Sequence, residues 1–172
     1  MIEVAKENPM REILLEKVVI NLGIGESGER LQRAEKMLSS LVSQKPARTI
    51  AKKTIKNFGI RKKETIGLKV TLRGDKAMEF LKRALQVKEM RLSRRSINAG
   101  NFSFGIAEHI DLPGVDYDPE IGVFGMDVCV SLKRRGYRIA ERRRRNSKVG
   151  SAHRITKDET IRWLESLGVV VE

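Results

Sequence analysis

The chain has 172 residues, 40% of them hydrophobic, with 35 Lys/Arg against 22 Asp/Glu and a formal net charge of +13. The apolar fraction excludes disorder throughout, and so large an excess of one sign costs self-repulsion unless a polyanion offsets it, which leaves nucleic acid or an anionic membrane as partner. No apolar run approaches the ~20 residues that span a bilayer, residues 1–11 lack the apolar h-region of a signal peptide, and a single cysteine, Cys129, excludes an intrachain disulfide.

Residues 17–23 (KVVINLG) read as a strand. Val18, Ile20 and Leu22 share one face and Val19 and Asn21 the other. A glycine turn follows at 23–28, then a helix at 29–42 with Leu31, Ala34, Leu38, Leu41 and Val42 on one stripe, Ser27 as its N-cap and Glu29 in its first turn. Pro46 closes that unit and residues 47–50 make a short strand. The stretch AKKTIKNFGIRKKE reads as a long basic loop. Phe58 at its centre is either an anchor in the core or a contact at the loop tip.

Residues 65–73 (TIGLKVTLR) form the clearest strand, with Ile66, Leu68, Val70 and Leu72 toward the core. Thr65, Gly67, Lys69, Thr71 and Arg73 face outward in a polar, small and basic row without an acid, suited to lie against RNA sugar and phosphate oxygens. Asp75 caps a second helix whose stripe is Ala77, Met78, Leu81, Ala84 and Leu85. Residues 93–104 read as loop entering a strand, which 105–112 extend. Residues 123–132 form another strand, with Phe124, Met126, Val128, Val130 and Leu132 on one side. Cys129 reads as core. Thr156 and Glu159 fit a capping box that opens a short helix through Ile161, Leu164 and Leu167. The mixture predicts an α+β fold with a mainly antiparallel sheet.

The charge is concentrated. Residues 44–73 hold 10 Lys/Arg against 1 Asp/Glu, and residues 133–157 hold 11 against 1, while the remainder is acidic on balance. A solvated surface mixes signs. Two separate blocks of one sign describe two contact zones on a phosphate backbone.

Gly23-x-Gly25-x-x-Gly28 matches a dinucleotide fingerprint between a strand and a helix, and is the basis of a rival reading as a nucleotide-binding enzyme. The fingerprint requires a ribose-binding acid about twenty residues on, yet residues 43–51 contain none, and Glu26 lies where pyrophosphate would sit. His109 and His153 stand far apart without Cys neighbours. His109 reads as a polar strand residue and His153 as part of the basic face. No catalytic residue, metal ligand set or cofactor site is expected. Asp116, Asp118 and Glu120 alternate like a cation site, but Pro113, Gly114 and Pro119 favour a solvated turn. Aromatics at 5% are too few for base stacking to dominate. A free RNA-binding regulator is the remaining alternative.

Four stretches carry a family resemblance: EKVVINLGIGESGERLQRAEKML, QKPARTIAKKTIKNFGIRKKETIGLKVTLRG, NFSFGIAEHIDLPGVDYDPEIGVFGMDV and KRRGYRIAERRRRNSKVGSAHRITKDETIRW. In this order, over nearly the whole chain, they resemble the universal large-subunit ribosomal protein L5 family in its archaeal and eukaryotic form. The resemblance implies a curved, mainly antiparallel sheet with helices on one face and RNA on the other. It implies one RNA-binding domain over 1–172, with an extended basic loop at about 52–64 and a basic segment at about 133–157. It implies a cytoplasmic ribosome, a place in the central protuberance, and binding to 5S rRNA with a link to 23S rRNA. A loop would reach the P-site tRNA, and neighbouring ribosomal proteins would include one in the small-subunit head.

Carried onto this sequence, the 5S-facing residues are Asn21, Gln44, Lys45, Thr49, Lys52, Thr71 and Arg73. The tRNA-facing loop is Lys56, Asn57, Phe58, Gly59, Ile60, Arg61 and Lys62. Further rRNA or tRNA contacts fall to Arg138, Arg142, Arg143, Arg144, Arg145, Lys148, His153 and Arg154.

Overall fold

A computed structural model describes residues 8–115 and 118–172. In chain order its elements are β1 (Ile13–Gly23), α1 (Glu29–Val42), β2 (Ala47–Ile50), β3 (Thr65–Leu72), α2 (Asp75–Val87), β4 (Arg91–Leu92), β5 (Ile97–Asn98), β6 (Asn101–Ile106), β7 (Met126–Arg134), α3 (Arg138–Glu141), α4 (Lys157–Ser166) and β8 (Val170–Val171). Six strands form one antiparallel sheet in the order β2-β3-β1-β7-β6-β5, and β4 and β8 pair in parallel as a small second sheet. The α+β expectation is met.

The strand period of two builds the core. Val18, Ile20 and Leu22 of β1, Leu68, Val70 and Leu72 of β3, and Val128, Val130 and Leu132 of β7 are all buried on one face. Leu31, Ala34 and Leu38 of α1 and Ala77, Leu81, Ala84 and Leu85 of α2 pack on them in a single cluster. Each such side chain withdrawn from water contributes about 1.5–3 kcal/mol for the larger aliphatics. α4 closes the same face near β5, where Trp163 stands 6.3 Å from Phe102. Among the described residues, no helix covers the opposite face of the sheet.

Several local expectations are corrected. β1 begins at Ile13, because residues 13–15 pair with the end of β7 across a bulge at Glu16. Gly28 takes the N-cap of α1, and the Ser27 hydroxyl donates instead to Glu64 Oε1 at 2.6 Å. A bond to an ionised acceptor is stronger than one to a backbone cap. Gly74 caps α2, with Asp75 inside its first turn, and Phe80 rather than Met78 completes the buried stripe. Residues 93–104 are chiefly a hairpin, β5 and β6 joined through Ala99 and Gly100. β6 stops at Ile106, and β7 starts only at Met126. Cys129 is exposed. Its neighbours Val128 and Val130 take the core face, so the same alternation turns Cys129 outward.

Gly67 marks the closest approach in the sheet. A Cβ there would lie 2.6 Å from the Leu22 carbonyl oxygen and 2.9 Å from Thr49 Oγ1. Gly67→Ala is expected to force β1, β2 and β3 apart and destabilise the fold by about 2 kcal/mol, the range of an overpacked site. The urea midpoint measures this, and an unchanged midpoint would show that the three strands part freely.

Candidate nucleic-acid interface

The helix-free face of the sheet follows from the register. Cross-strand partners share a face, so Thr71 stands beside Val19, Val19 beside Cys129, and Cys129 beside Ser103. The next row runs Lys69, Asn21, Asp127 and Gly105, with Ala47 of β2 beyond Lys69. Thr49 flanks Gly67, which flanks Gly23. Lys17 pairs with Ser131, and Ser131 donates to Asn101 Oδ1 at 2.9 Å. The side chains are small, hydroxylic, amide or cationic, and Asp127 is the one acid in these rows. Such a face lets an RNA backbone approach closely and meet donors.

Of the sequence-predicted 5S-facing residues, the structure brings Asn21, Thr49 and Thr71 onto this face. Gln44 joins them by donating from Nε2 to the Thr71 carbonyl at 3.4 Å. Lys45 is exposed beside it. Arg73 closes the row, 3.8 Å from Glu16, and Lys52 lies past the end of β2. Lys17, Lys69, Ser103, Ser131 and Asn101 share the face and are absent from the predicted set. Alternation along 126–134 carries the signal for β7, since the side opposite Val128 and Val130 had to face something.

Two cation-rich segments lie at opposite ends of this face. The start of β3 pairs with the end of β1 through Gly67 and Gly23, whereas β7 ends against Ile13 at the start of β1. The 52–64 segment therefore leaves one end of the strands and the 135–155 segment the other. Eleven residues of β1 separate them by roughly 35 Å.

The first segment is a built loop rather than an irregular one. Ile55 and Ile60 form a bridge, Lys56–Phe58 make a 3-10 turn, and Gly59 follows at φ 67°, in the left-handed region. Thr54 Oγ1 accepts the Lys62 N–H at 3.0 Å. Glu64, the one acid in 44–73, accepts from Ser27 and, at 2.8 Å, from the Arg61 N–H. The Ser27 hydroxyl first, and the Arg61 N–H after it, hold its carboxyl below the ordinary value. The loop's only carboxylate thus serves its shape, and Lys52, Lys53, Lys56, Arg61, Lys62 and Lys63 form no ion pair among the described residues. Phe58 is 74% exposed at the tip, which overturns the reading as a core anchor. The bridge already closes the loop without it.

The second segment folds back on itself. Arg142 Nε donates to the Arg145 carbonyl at 2.7 Å, Asn146 Nδ2 to the Ala140 carbonyl at 2.9 Å, and Arg154 Nε to the Val149 carbonyl at 3.3 Å. Arg138, Arg142, Arg143, Arg144, Arg145, Lys148 and Arg154 are exposed. Arg134 and Arg135 are not free cations, since they pair with Glu159 at 2.6 Å and Glu12 at 3.1 Å. His153 is half-buried, its Nε2 2.8 Å from the Arg135 carbonyl and its ring edge-on to Tyr137, so it braces the segment from within.

The enzyme-like signals dissolve in this setting. β1 is antiparallel to both neighbours, whereas a dinucleotide fingerprint belongs to a parallel βαβ unit. His109 sits in a 3-10 turn rather than a strand. It is 2% exposed, with Nδ1 accepting from the Phe124 N–H at 3.3 Å, and burial pushes its pKa down. It is a neutral core group. Asp116 lies outside the described residues, and Asp118 is engaged with the Glu120 N–H at 2.9 Å. Among the described residues no His, Cys, Asp and Glu side chains assemble a metal site, and no helix is long and apolar enough to cross a membrane.

An acid-poor sheet face, cation-rich at both ends, has the electrostatic footprint of a surface that meets a polyanion such as RNA. Comparison with known proteins sharpens the class. Residues 8–61 match the family described as Ribosomal protein L5, and residues 65–163 match the family model for the C-terminus of the same ribosomal proteins. The large ribosomal subunit protein uL5 of Archaeoglobus fulgidus is 72% identical over 166 residues, 96% of this chain and 93% of that one. Its counterparts in Pyrobaculum aerophilum and Sulfurisphaera tokodaii are 52% and 51% identical, covering 97% and 96% of this chain and 94% of each relative. The chain belongs to the ribosomal protein L5 family. The two matched segments share one sheet, since β1 and β2 come from the first and β3, β5, β6 and β7 from the second.

Proposed function

We propose that the chain is a structural constituent of the large ribosomal subunit, acting as one RNA-binding domain that holds 5S rRNA on the outer face of its sheet. The observation that carries this is the acid-poor row through Thr49, Lys69, Thr71 and Asn21, bordered by Gln44, Lys45, Lys52 and Arg73. The second segment, through Arg138, Arg142 to Arg145, Lys148 and Arg154, meets 23S rRNA or tRNA and links 5S rRNA to the rest of the central protuberance. The 52–64 loop reaches toward the P-site tRNA, and neighbouring ribosomal proteins, one of them in the small-subunit head, complete its contacts. It works on the cytoplasmic ribosome.

Binding by phosphate contact releases counterions, so log affinity for 5S rRNA falls with log salt by about 0.7–0.9 per neutralised phosphate. Affinity unchanged between low and moderate salt would reject the electrostatic account, and a footprint on 5S rRNA locates the contact. A free regulator is told apart by sedimentation, because a ribosomal constituent remains with salt-washed large subunits.

The loop has its own test. Arg61 and Lys62 stabilise the loop through backbone N–H groups, so removing their side chains leaves its frame. The pair Arg61→Ala and Lys62→Ala is expected to retain 5S binding and weaken tRNA retention about tenfold, two surface phosphate contacts at roughly 0.7 kcal/mol each. Equal loss of both activities would place the loop on 5S rRNA instead.

A further inference from the structure

Between the second basic segment and the sheet lies a cavity of about 410 Å³. Its walls are apolar: Leu132 of β7, Tyr137 just before α3, Ala140 within it, and Val149 and Ile155 on the returning chain. Lys148 and Arg154 line it too, and no acidic residue does among those described. Its volume falls in the range of about 300–1,000 Å³ usual for small-molecule sites.

The cavity is built, not incidental. The Tyr137 hydroxyl donates to the His153 carbonyl at 3.2 Å and accepts the Ile155 N–H at 2.9 Å, which locks the ring that forms one wall. Asn101 lines the same space, and its Oδ1 is occupied by Ser131. Its amide N–H groups donate to nothing among the described residues. A wall of apolar carbon with a fixed aromatic ring lies against the most cationic stretch of the chain.

We propose that this cavity receives a single unpaired nucleobase of an rRNA strand whose phosphates follow Arg142 to Arg145, Lys148 and Arg154. The inference rests on the RNA-binding reading of the second segment. The cations select a polyanionic chain, and the apolar interior selects the one part of that chain that is flat and uncharged. Base insertion adds a salt-independent component to binding that phosphate contacts do not supply.

Two measurements on the full chain test it. Methyl resonances of Ala140, Val149 and Ile155 are followed while the four nucleoside monophosphates, or inorganic phosphate, are added. Saturable millimolar shifts with nucleotides and none with phosphate are expected. Equal shifts with phosphate overturn the base pocket. In the second, Ala140→Trp fills the cavity from an exposed position of α3. It is expected to weaken binding to deproteinised large-subunit rRNA about tenfold, the loss of one stacked base, without altering the salt slope. Ala99→Phe, from the hairpin side, repeats the filling should the first variant not fold.

Arg143→Ala with Arg144→Ala separates the phosphate contacts from the base contact. It is expected to reduce the slope by about 0.7–0.9 per lost phosphate contact. An unchanged slope removes the RNA reading of this segment and the pocket with it. A reduced slope together with wild-type affinity of both filled-cavity variants overturns the pocket alone.

Discussion

Thr71→Glu is expected to weaken 5S rRNA binding at least about a hundredfold while leaving the urea midpoint near wild type. Thr71 lies half-buried on the helix-free face, beside Val19. Its tie to Gln44 runs through its own carbonyl, which the substitution preserves. Surface replacements of this kind stay within about 0.5 kcal/mol of wild-type stability. A carboxylate set against phosphates, by contrast, juxtaposes like charges at a cost of several kcal/mol. Thr71→Lys supplies the control, because it must bind at least as tightly. Filter binding at fixed salt reads both, and a Glu variant that binds normally would move the RNA to another surface.

Glu159→Gln should be among the most damaging single substitutions outside the apolar core. Arg134 is buried to 6% exposure, and Glu159 Oε1 lies 2.6 Å from its Nη2. Its Nη1 donates only long bonds, 3.3 and 3.5 Å, to the His153 and Arg154 carbonyls, and its Nε finds no partner among the described residues. Removing the carboxylate charge strands a guanidinium away from water. Breaking a fully buried pair costs about 3–5 kcal/mol. Glu159 is about one-third exposed, so solvent lowers the expected loss to about 2 kcal/mol.

The same residue makes this contribution pH-dependent. The Thr156 N–H first, and the Arg134 guanidinium after it, hold the Glu159 carboxyl below its ordinary 4.5, against burial, which pushes it up. An Asp or Glu depressed in the folded state binds its proton more readily when unfolded. Its stabilisation is therefore complete above about pH 4.5 and disappears as pH falls through the lower folded value. Urea unfolding of wild type and Glu159→Gln should differ at pH 7 and converge in acid. A constant difference across that range would show that Glu159 acts by shape rather than charge.

Much of the fold was legible because local patterns carry it. Val18, Ile20 and Leu22 alternate, Leu31, Ala34 and Leu38 recur at helical spacing, and Thr156 with Glu159 closes the expected capping box, both of its bonds present. Two of the misses, Ser27 and His109, share a cause, since each is decided by a partner distant in the chain. Ser27 turns to Glu64, 37 residues away, and His109 to the Phe124 N–H, 15 residues away. Phe58 is left outside by a bridge it does not join.

The proposed RNA-binding face divides the same way. The outward row of 65–73, the two cation-rich segments and the family could all be read along the chain, because charge, period and motif order need no third dimension. Three-dimensional packing was needed to show that β1, β6 and β7 extend that row into a face and that its two cationic borders lie at opposite ends of the strands. It was needed too for Glu64 and Arg134, which serve the fold rather than the ligand. Strand order and register are set by long-range packing of buried side chains. A one-residue slip, invisible in local propensity, would have turned the whole face inward.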